Sequence, residues 1–69
     1  MTTNEKIVSV KVLESLNSSM DLSNMGFDSD VVAEVEDWKS EGYSNKEISE
    51  KILLYVTVME LNTIARNLR

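Results

Sequence analysis

The sequence predicts an all-α protein of three helices in one small domain, residues 1–69. The 69 residues include no proline and only two glycines, a composition that favours helices. The apolar residues recur at intervals of three and four, which is the period of an α-helix. Capping residues also stand where helices are expected to begin. The predicted elements are an N-terminal helix and a helical hairpin, about 28–41 and 44–68.

The N-terminal helix is predicted from Asn4 to about Ser18. Its segment IVSVKVL alternates as a strand would, but over a longer window the apolar residues advance four positions at a time, which is a helical stripe. That stripe consists of Val8, Val12, Leu16 and Met20. A lone strand would also lack a partner, because no second strand is predicted.

Residues 17–30 are rich in Ser, Asn and Asp, which compete with the helix by local hydrogen bonding, so they predict a connector. Asp21 and Gly26 have the spacing of the first and sixth positions of a calcium loop. However, Met25 occupies a ligand position and Val32 replaces the closing Glu, so we expect no metal site. The tripeptide MGF also resembles the loop of ubiquitin-associated domains, although the next helix is spaced several residues too far.

The second helix, about 28–41, is predicted to be amphipathic and strongly acidic. Asp28 or Ser29 is expected to cap it. One apolar stripe consists of Val31, Val35 and Trp38, and an acidic face beside it consists of Asp30, Glu34, Asp37 and Glu41. Six acids and one base, Lys39, give this helix a charge of -5, which equals the net charge of the whole chain.

The boundary between the second and third helices is strongly specified by the sequence. Gly42 fits the left-handed position that ends a helix, and Tyr43 is expected to fold back onto the core. Ser44 and Glu47 have the S-x-x-E spacing of a capping box, so the third helix should begin there. The apolar pattern continues to about Leu68, although the β-branched residues in YVTV are weaker helix formers.

The third predicted helix is apolar on two sides. One face carries Ile48, Ile52, Tyr55, Val56 and Met59, and the opposite face carries Leu53, Leu54, Leu61, Ile64, Ala65 and Leu68. A helix of this kind must be covered on both sides. The N-terminal helix can cover one of them, and the other can be covered within the chain, by a second copy or by a partner protein.

Composition excludes several functional classes. The chain has no Cys and no His, so it lacks a catalytic thiol, a disulfide, a zinc-thiolate site and the usual general base. We therefore expect no enzyme and no cofactor. The first ten residues, MTTNEKIVSV, lack a basic leader, and no apolar run reaches the roughly 20 residues that span a bilayer, so we expect a soluble cytoplasmic protein. Small domains are commonly stabilised by association, which favours a partner, or a homodimer when unbound.

The stretch EGYSNKEISEKI resembles the scaffold helix of LuxR-type response regulators. In that family a recognition helix follows and supplies Lys, Arg and polar side chains to the major groove. The matching region here, LLYVTVMELNTIA, has no Lys or Arg between Lys51 and Arg66 and carries one acid, Glu60. Basic contacts to phosphates supply most of the affinity for DNA. A helix-turn-helix DNA-binding regulator is therefore the alternative, and we expect no direct nucleic-acid binding.

Residues 28–55, DSDVVAEVEDWKSEGYSNKEISEKILLY, are similar to the helical hairpin of the Sin antirepressor family. The shared features are an acid-led first helix, a short turn, a Ser cap and an apolar run in the second helix. They are carried by Val31, Val32, Val35, Lys39, Gly42, Tyr43, Ser44, Glu47, Ile48 and Ile52 to Leu54. The family places its aromatic residue early in the first helix, whereas Trp38 stands late, which puts the role of this aromatic in doubt.

This resemblance implies a small bacterial or phage regulator that pairs with the oligomerisation helices of a repressor and releases its operator. The residues assigned to partner binding form an exposed or exchangeable apolar surface. They are Val31, Val35, Trp38, Ile48, Ile52, Tyr55 and Met59. In a monomer each of them would be a core residue. The set is large for one small chain to bury, which favours an interface.

The acidic face permits a different way to antagonise a DNA-binding protein. Its carboxylates could imitate phosphates and cover a basic DNA-binding surface. The alternative for the same residues is a solvated helix face. We therefore expect a protein-binding regulator, an antirepressor whose partner is a DNA-binding repressor. A structural subunit of a small homo-oligomer is a further alternative.

Overall fold

The computed structural model describes residues 2–18 and 22–68, and every regular element in these ranges is helical. The elements are α1 (Thr3–Asn17), a 3-10 helix (Leu22–Met25), α2 (Ser29–Ser40), α3 (Asn45–Tyr55) and α4 (Val58–Leu68). The all-α class is confirmed. The prediction of three helices is wrong, because the segment expected to form one helix from 44 to 68 forms two.

The break between α3 and α4 lies at Val56 and Thr57. Val56 adopts an extended conformation with ψ of 154°, which ends α3. Thr57 then caps α4, because its Oγ1 accepts a hydrogen bond from the Glu60 amide at 3.1 Å and its carbonyl accepts one from the Leu61 amide at 2.9 Å. The β-branched residues thus end one helix and start the next.

Capping boxes begin two of the helices. The predicted box of α3 is confirmed: the Ser44 hydroxyl accepts from the Glu47 amide, and the Glu47 carboxylate accepts from the Ser44 amide. A second box, at Thr2 and Glu5, begins α1. These hydrogen bonds, from the backbone amide first and the hydroxyl second, lower the pKa of Glu47 and of Glu5.

A Schellman turn joins α2 to α3, as predicted from the position of Gly42. Gly42 has φ of +93°, its amide donates to the Lys39 carbonyl, and the Tyr43 amide donates to the Trp38 carbonyl. Asp28 stands at the N-cap of α2, but its side chain makes no capping hydrogen bond. The side chain of Tyr43 remains exposed and does not join the core.

The core forms where α1 packs against both α3 and α4, while α2 packs against α3. Its members are Val8, Val12, Leu16, Leu22, Met25, Phe27, Val31, Val35, Ile48, Ile52, Leu61, Ile64 and Ala65. The break explains why the predicted long helix was apolar on two sides. The buried residues of α3 and of α4 each pack towards α1, whereas Leu54, Tyr55 and Met59 of the two predicted faces stay exposed.

The connector contributes more to the core than its polar composition suggests. Leu22, Met25 and Phe27 are buried, and the 3-10 helix contacts α2 and α4. Gly26, with φ of +101°, makes the turn between two of these buried side chains. Met20, the last residue of the predicted stripe, and Asp21, the first position of the calcium-loop spacing, lie outside the described residues.

Candidate protein-binding surface

Four of the seven residues predicted to bind a partner are buried inside the chain. Val31 and Val35 pack from α2, and Ile48 and Ile52 pack from α3, each with at most 3% of its surface exposed. The i, i+4 spacing of each pair places both members on the same side of its helix. In this conformation these side chains contact the chain itself, and none is presented to a partner.

The other three predicted residues are accessible to different degrees. Trp38 of α2 is half-buried against the core, whereas Tyr55 and Met59 are exposed. The rings of Trp38 and Tyr55 meet edge to face, with their centroids 6.0 Å apart. This aromatic contact joins the outer surface of α2 to the end of α3.

Lys51 lies beside this aromatic pair. Its Nζ is 4.4 Å from the ring centroid of Tyr43 and 5.9 Å from that of Trp38, so the ammonium group makes cation-π contacts. The side chains of Trp38, Lys51, Leu54 and Tyr55 line a shallow depression of about 230 Å³. The depression opens onto the surface where α3 ends.

Four exposed apolar side chains stand close in sequence on either side of the break between α3 and α4. Leu54 is 88% exposed, Tyr55 48%, Val58 74% and Met59 79%. We call this set the apolar corner. α1 packs against both helices, but these four side chains lie outside the core cluster that it helps to form.

Leu54 and Val58 were not among the residues predicted to bind a partner. Leu54 was assigned to the second apolar face of one long helix, and Val58 to no face. Thr57 is followed three residues later by Glu60, which is the spacing of the capping residues Ser44 and Glu47. This local signal marks the break. With the break placed there, α3 alone predicts that Leu54 points away from Ile48 and Ile52.

The acidic face of α2 lies at the surface. Asp30, Asp37 and Glu41 are exposed and Glu34 is half-buried. Among the described residues the one ion pair within 4 Å joins Lys11 and Glu14, so none of these four carboxylates is neutralised by a neighbouring base. Within the described ranges, no group of three or more acidic residues has an arrangement that could hold a metal ion.

A second acidic feature lies beside Met59. Burial first, and then a hydrogen bond with the Asp28 carboxyl group and repulsion from its charge, raise the pKa of Glu60. Both side chains line a depression of about 300 Å³ together with Met59 and Thr63. Because the folded state holds the proton of Glu60 more tightly than the unfolded chain, the contribution of protonated Glu60 to stability is present at low pH. It is lost as the pH rises through the raised pKa.

Asp28→Asn is expected to move the pKa of Glu60 part of the way back towards the ordinary value of a glutamate. The substitution removes the repulsion, while burial, the larger cause, remains. An NMR titration that follows the side-chain carboxyl carbons measures the change. Asp30→Asn, two residues away and exposed on the same helix, is the matched control. A Glu60 signal that titrates identically in wild type and Asp28→Asn would contradict the pairing.

No helix among the described residues is long and apolar enough to cross a membrane. Comparisons of the chain with protein-family models, with curated proteins and with solved structures found no match.

Proposed function

We propose that this chain is an antirepressor that binds a DNA-binding repressor and blocks its oligomerisation or its contact with DNA. The observation that carries the proposal is the apolar corner. Isolated exposed apolar residues are common, but four large ones in one short stretch are typical of a protein-binding surface. Leu54, Val58 and Met59 are each at least 74% exposed, so they contribute little to the buried core.

The charge of the surface supports a protein partner over direct contact with DNA. The acidic face on α2 would repel phosphates, and the exposed side of α4 offers one base, Arg66, among its described residues. A DNA-reading helix needs several basic contacts to the backbone before base contacts can act. The chain therefore acts through the partner's DNA-binding activity.

The sequence of residues 28–55 supports the choice of a repressor as partner, because it resembles the helical hairpin of the Sin antirepressor family. In the structure, the apolar residues of that hairpin are mostly core. Trp38 and Tyr55 are the members of the predicted set that join the hairpin to the apolar corner. Pairing through the corner, rather than phosphate imitation by the acidic face, is the mechanism that we propose.

A helix-turn-helix DNA-binding regulator is the second candidate function. The two-residue connection between α3 and α4 favours it, since short turns of this kind join scaffold and recognition helices. The exposed side of α4 also carries polar residues, Thr63, Arg66 and Asn67, that are able to contact DNA. What weakens this candidate is the scarcity of basic residues on the same side.

The test combines two measurements on the whole chain at physiological salt. The first is a mobility shift with genomic DNA fragments of the native host, in which we expect no complex with the chain alone. The second is affinity capture from host extract, in which we expect a DNA-binding protein whose complex with its own operator is dissolved by added chain. A shift by the chain alone would support the second candidate and overturn the antirepressor proposal.

A further inference from the structure

We infer that Asp28 and Glu60 form a proton-operated link between the first turns of α2 and α4. While the two carboxyl groups share a proton, they connect the two helices. When the proton is lost, each carboxylate turns back and caps its own helix. We call this pair the carboxyl link. It is a conformational switch of the isolated chain and goes beyond the proposed function.

The hydrogen bond within the carboxyl link requires a proton. Asp28 and Glu60 line the same depression, and their side chains are hydrogen-bonded to each other. An ionised carboxylate is only an acceptor, so a bond between two carboxyl groups forms only when one of them is protonated. Glu60 is the half-buried member and Asp28 the exposed one. Burial first, and then the hydrogen bond, raise the pKa of Glu60 and favour its protonated form.

Asp28 lacks the capping bond that its position favours. It is the N-cap of α2 and has the extended backbone of such a residue, but its side chain accepts no hydrogen bond from the first turn. Aspartate is among the most favoured N-cap residues, because its carboxylate accepts from the second or third amide of the helix. The hydrogen bond with Glu60 explains why this cap is not formed.

Glu60 differs from the glutamates at the same position of two other helices. Glu5 and Glu47 each accept a hydrogen bond from the amide of their N-cap residue, at 3.1 and 3.2 Å. In α4 the Thr57 hydroxyl accepts from the Glu60 amide, but no bond from the Thr57 amide to the Glu60 carboxylate is found among the described residues. The bond from the backbone amide lowers the pKa of Glu5 and Glu47, whereas the pKa of Glu60 is raised.

The charged groups of the neighbouring elements do not stabilise two negative charges here. None of the described residues that line the depression is Lys or Arg, and residues 22–27 of the connector carry no charge. Glu5 is the charged residue of α1 that lines the adjoining depression. Lys51 of α3 contacts aromatic rings at the opposite end of α2. Arg66 lies six residues from Glu60, which is about 9 Å along α4. Loss of the shared proton therefore leaves two carboxylates that repel each other.

Both ionised carboxylates have favourable positions to move to. A negative charge is stabilised at the N-terminus of a helix by the helix dipole. Asp28 can accept from the amides of the first turn of α2, and Glu60 can accept from the Thr57 amide and complete its capping box. The exchange replaces one bond between two helices with bonds inside each of them. Val58 and Met59 lie in the first turn of α4, so the carboxyl link also helps to hold this part of the apolar corner.

An NMR titration of the backbone amides of the whole chain tests the inference, because an amide proton moves downfield when it donates to a carboxylate. The Thr57 amide is expected to move downfield as the pH rises through the raised pKa of Glu60. The Ser44 amide is the control within the same molecule, since it already donates to Glu47, whose pKa is lowered. It should move only at a lower pH. A Thr57 amide that does not move, or that moves at the same pH as Ser44, would overturn the inference.

Glu60→Gln separates the carboxyl link from other causes of such a shift. The glutamine amide donates to the Asp28 carboxylate without a shared proton, so the two helices stay connected at every pH. We expect the Thr57 amide of this variant to lose its response to pH. Glu47→Gln is the matched control, because it makes the same change at the same position of α3 and should leave the Thr57 response as in wild type. A Thr57 amide that titrates equally in Glu60→Gln and wild type would overturn the inference.

Discussion

Ile52→Ala is expected to lower the free energy of unfolding by about 3 kcal/mol, because truncation of a fully buried aliphatic side chain loses apolar burial and leaves a cavity. Ile52 has no exposed surface and lies in the core cluster formed where α3 meets α1. A domain of this size rarely has more than about 3–5 kcal/mol of stability in total, so we expect a substantial unfolded population at room temperature. Urea unfolding followed by circular dichroism measures the loss.

Leu54→Ala is the matched control for that prediction. It lies two residues further along the same helix, and its side chain is 88% exposed. The free energy of unfolding of the Leu54→Ala variant is expected to stay within about 0.5 kcal/mol of wild type, as is usual for surface substitutions. Equal effects at positions 52 and 54 would contradict the assignment of one to the core and the other to the surface. If Ile52→Ala does not fold, Ile52→Val should show a smaller loss, of about 1 kcal/mol.

Leu54→Gln/Met59→Gln is expected to weaken binding to the captured repressor by about 100-fold, while the free energy of unfolding changes by less than about 1 kcal/mol. The two side chains are the most exposed members of the apolar corner. Glutamine keeps their approximate length and a good helix propensity, and it adds no charge. Isothermal titration calorimetry of the repressor with each variant measures the loss of affinity.

Val10→Gln controls for the general removal of an exposed apolar residue. Val10 is a large exposed apolar side chain on α1, outside the apolar corner, and is 55% exposed. Its substitution is expected to leave the affinity within about twofold of wild type, as for residues outside an interface. A loss at Val10 equal to that at the corner would mean that binding depends on another surface.

The helix boundaries that the sequence predicts best are those marked by local hydrogen bonds. Ser44 and Glu47 cap α3, and Gly42 terminates the preceding helix, α2. Both motifs involve only residues a few positions apart. The class of fold and the start of α1 follow from equally local information. Such features do not depend on which distant segments meet, so they can be predicted from one sequence.

The break at Thr57 was missed although its signal is also local. The capping spacing of Thr57 and Glu60 competes with an apolar pattern that continues through Val56, and that pattern predicts one continuous helix. In the fold, the break is favoured because it allows Leu61 and Ile64 to pack against α1 along with Ile52. This advantage depends on a third helix, so it cannot be recognised from the hairpin alone.

The buried connector residues could not be assigned from local patterns. Leu22, Met25 and Phe27 show no helical period, and their burial depends on the packing of the connector against α2 and α4. For the same reason, the predicted binding set mixed core and surface residues. Apolar spacing identifies the side of a helix, but the neighbouring helices decide whether that side is covered.

Competition on DNA measures whether the apolar corner removes a repressor from its operator, as we propose. A labelled operator bound by the captured repressor is titrated with the chain, and fluorescence anisotropy reports how much DNA remains bound. Wild type is expected to release the operator at concentrations where Leu54→Gln/Met59→Gln, still folded, leaves it bound. Equal release by both proteins, or a ternary complex in which the operator stays bound, would overturn the proposed role of the apolar corner.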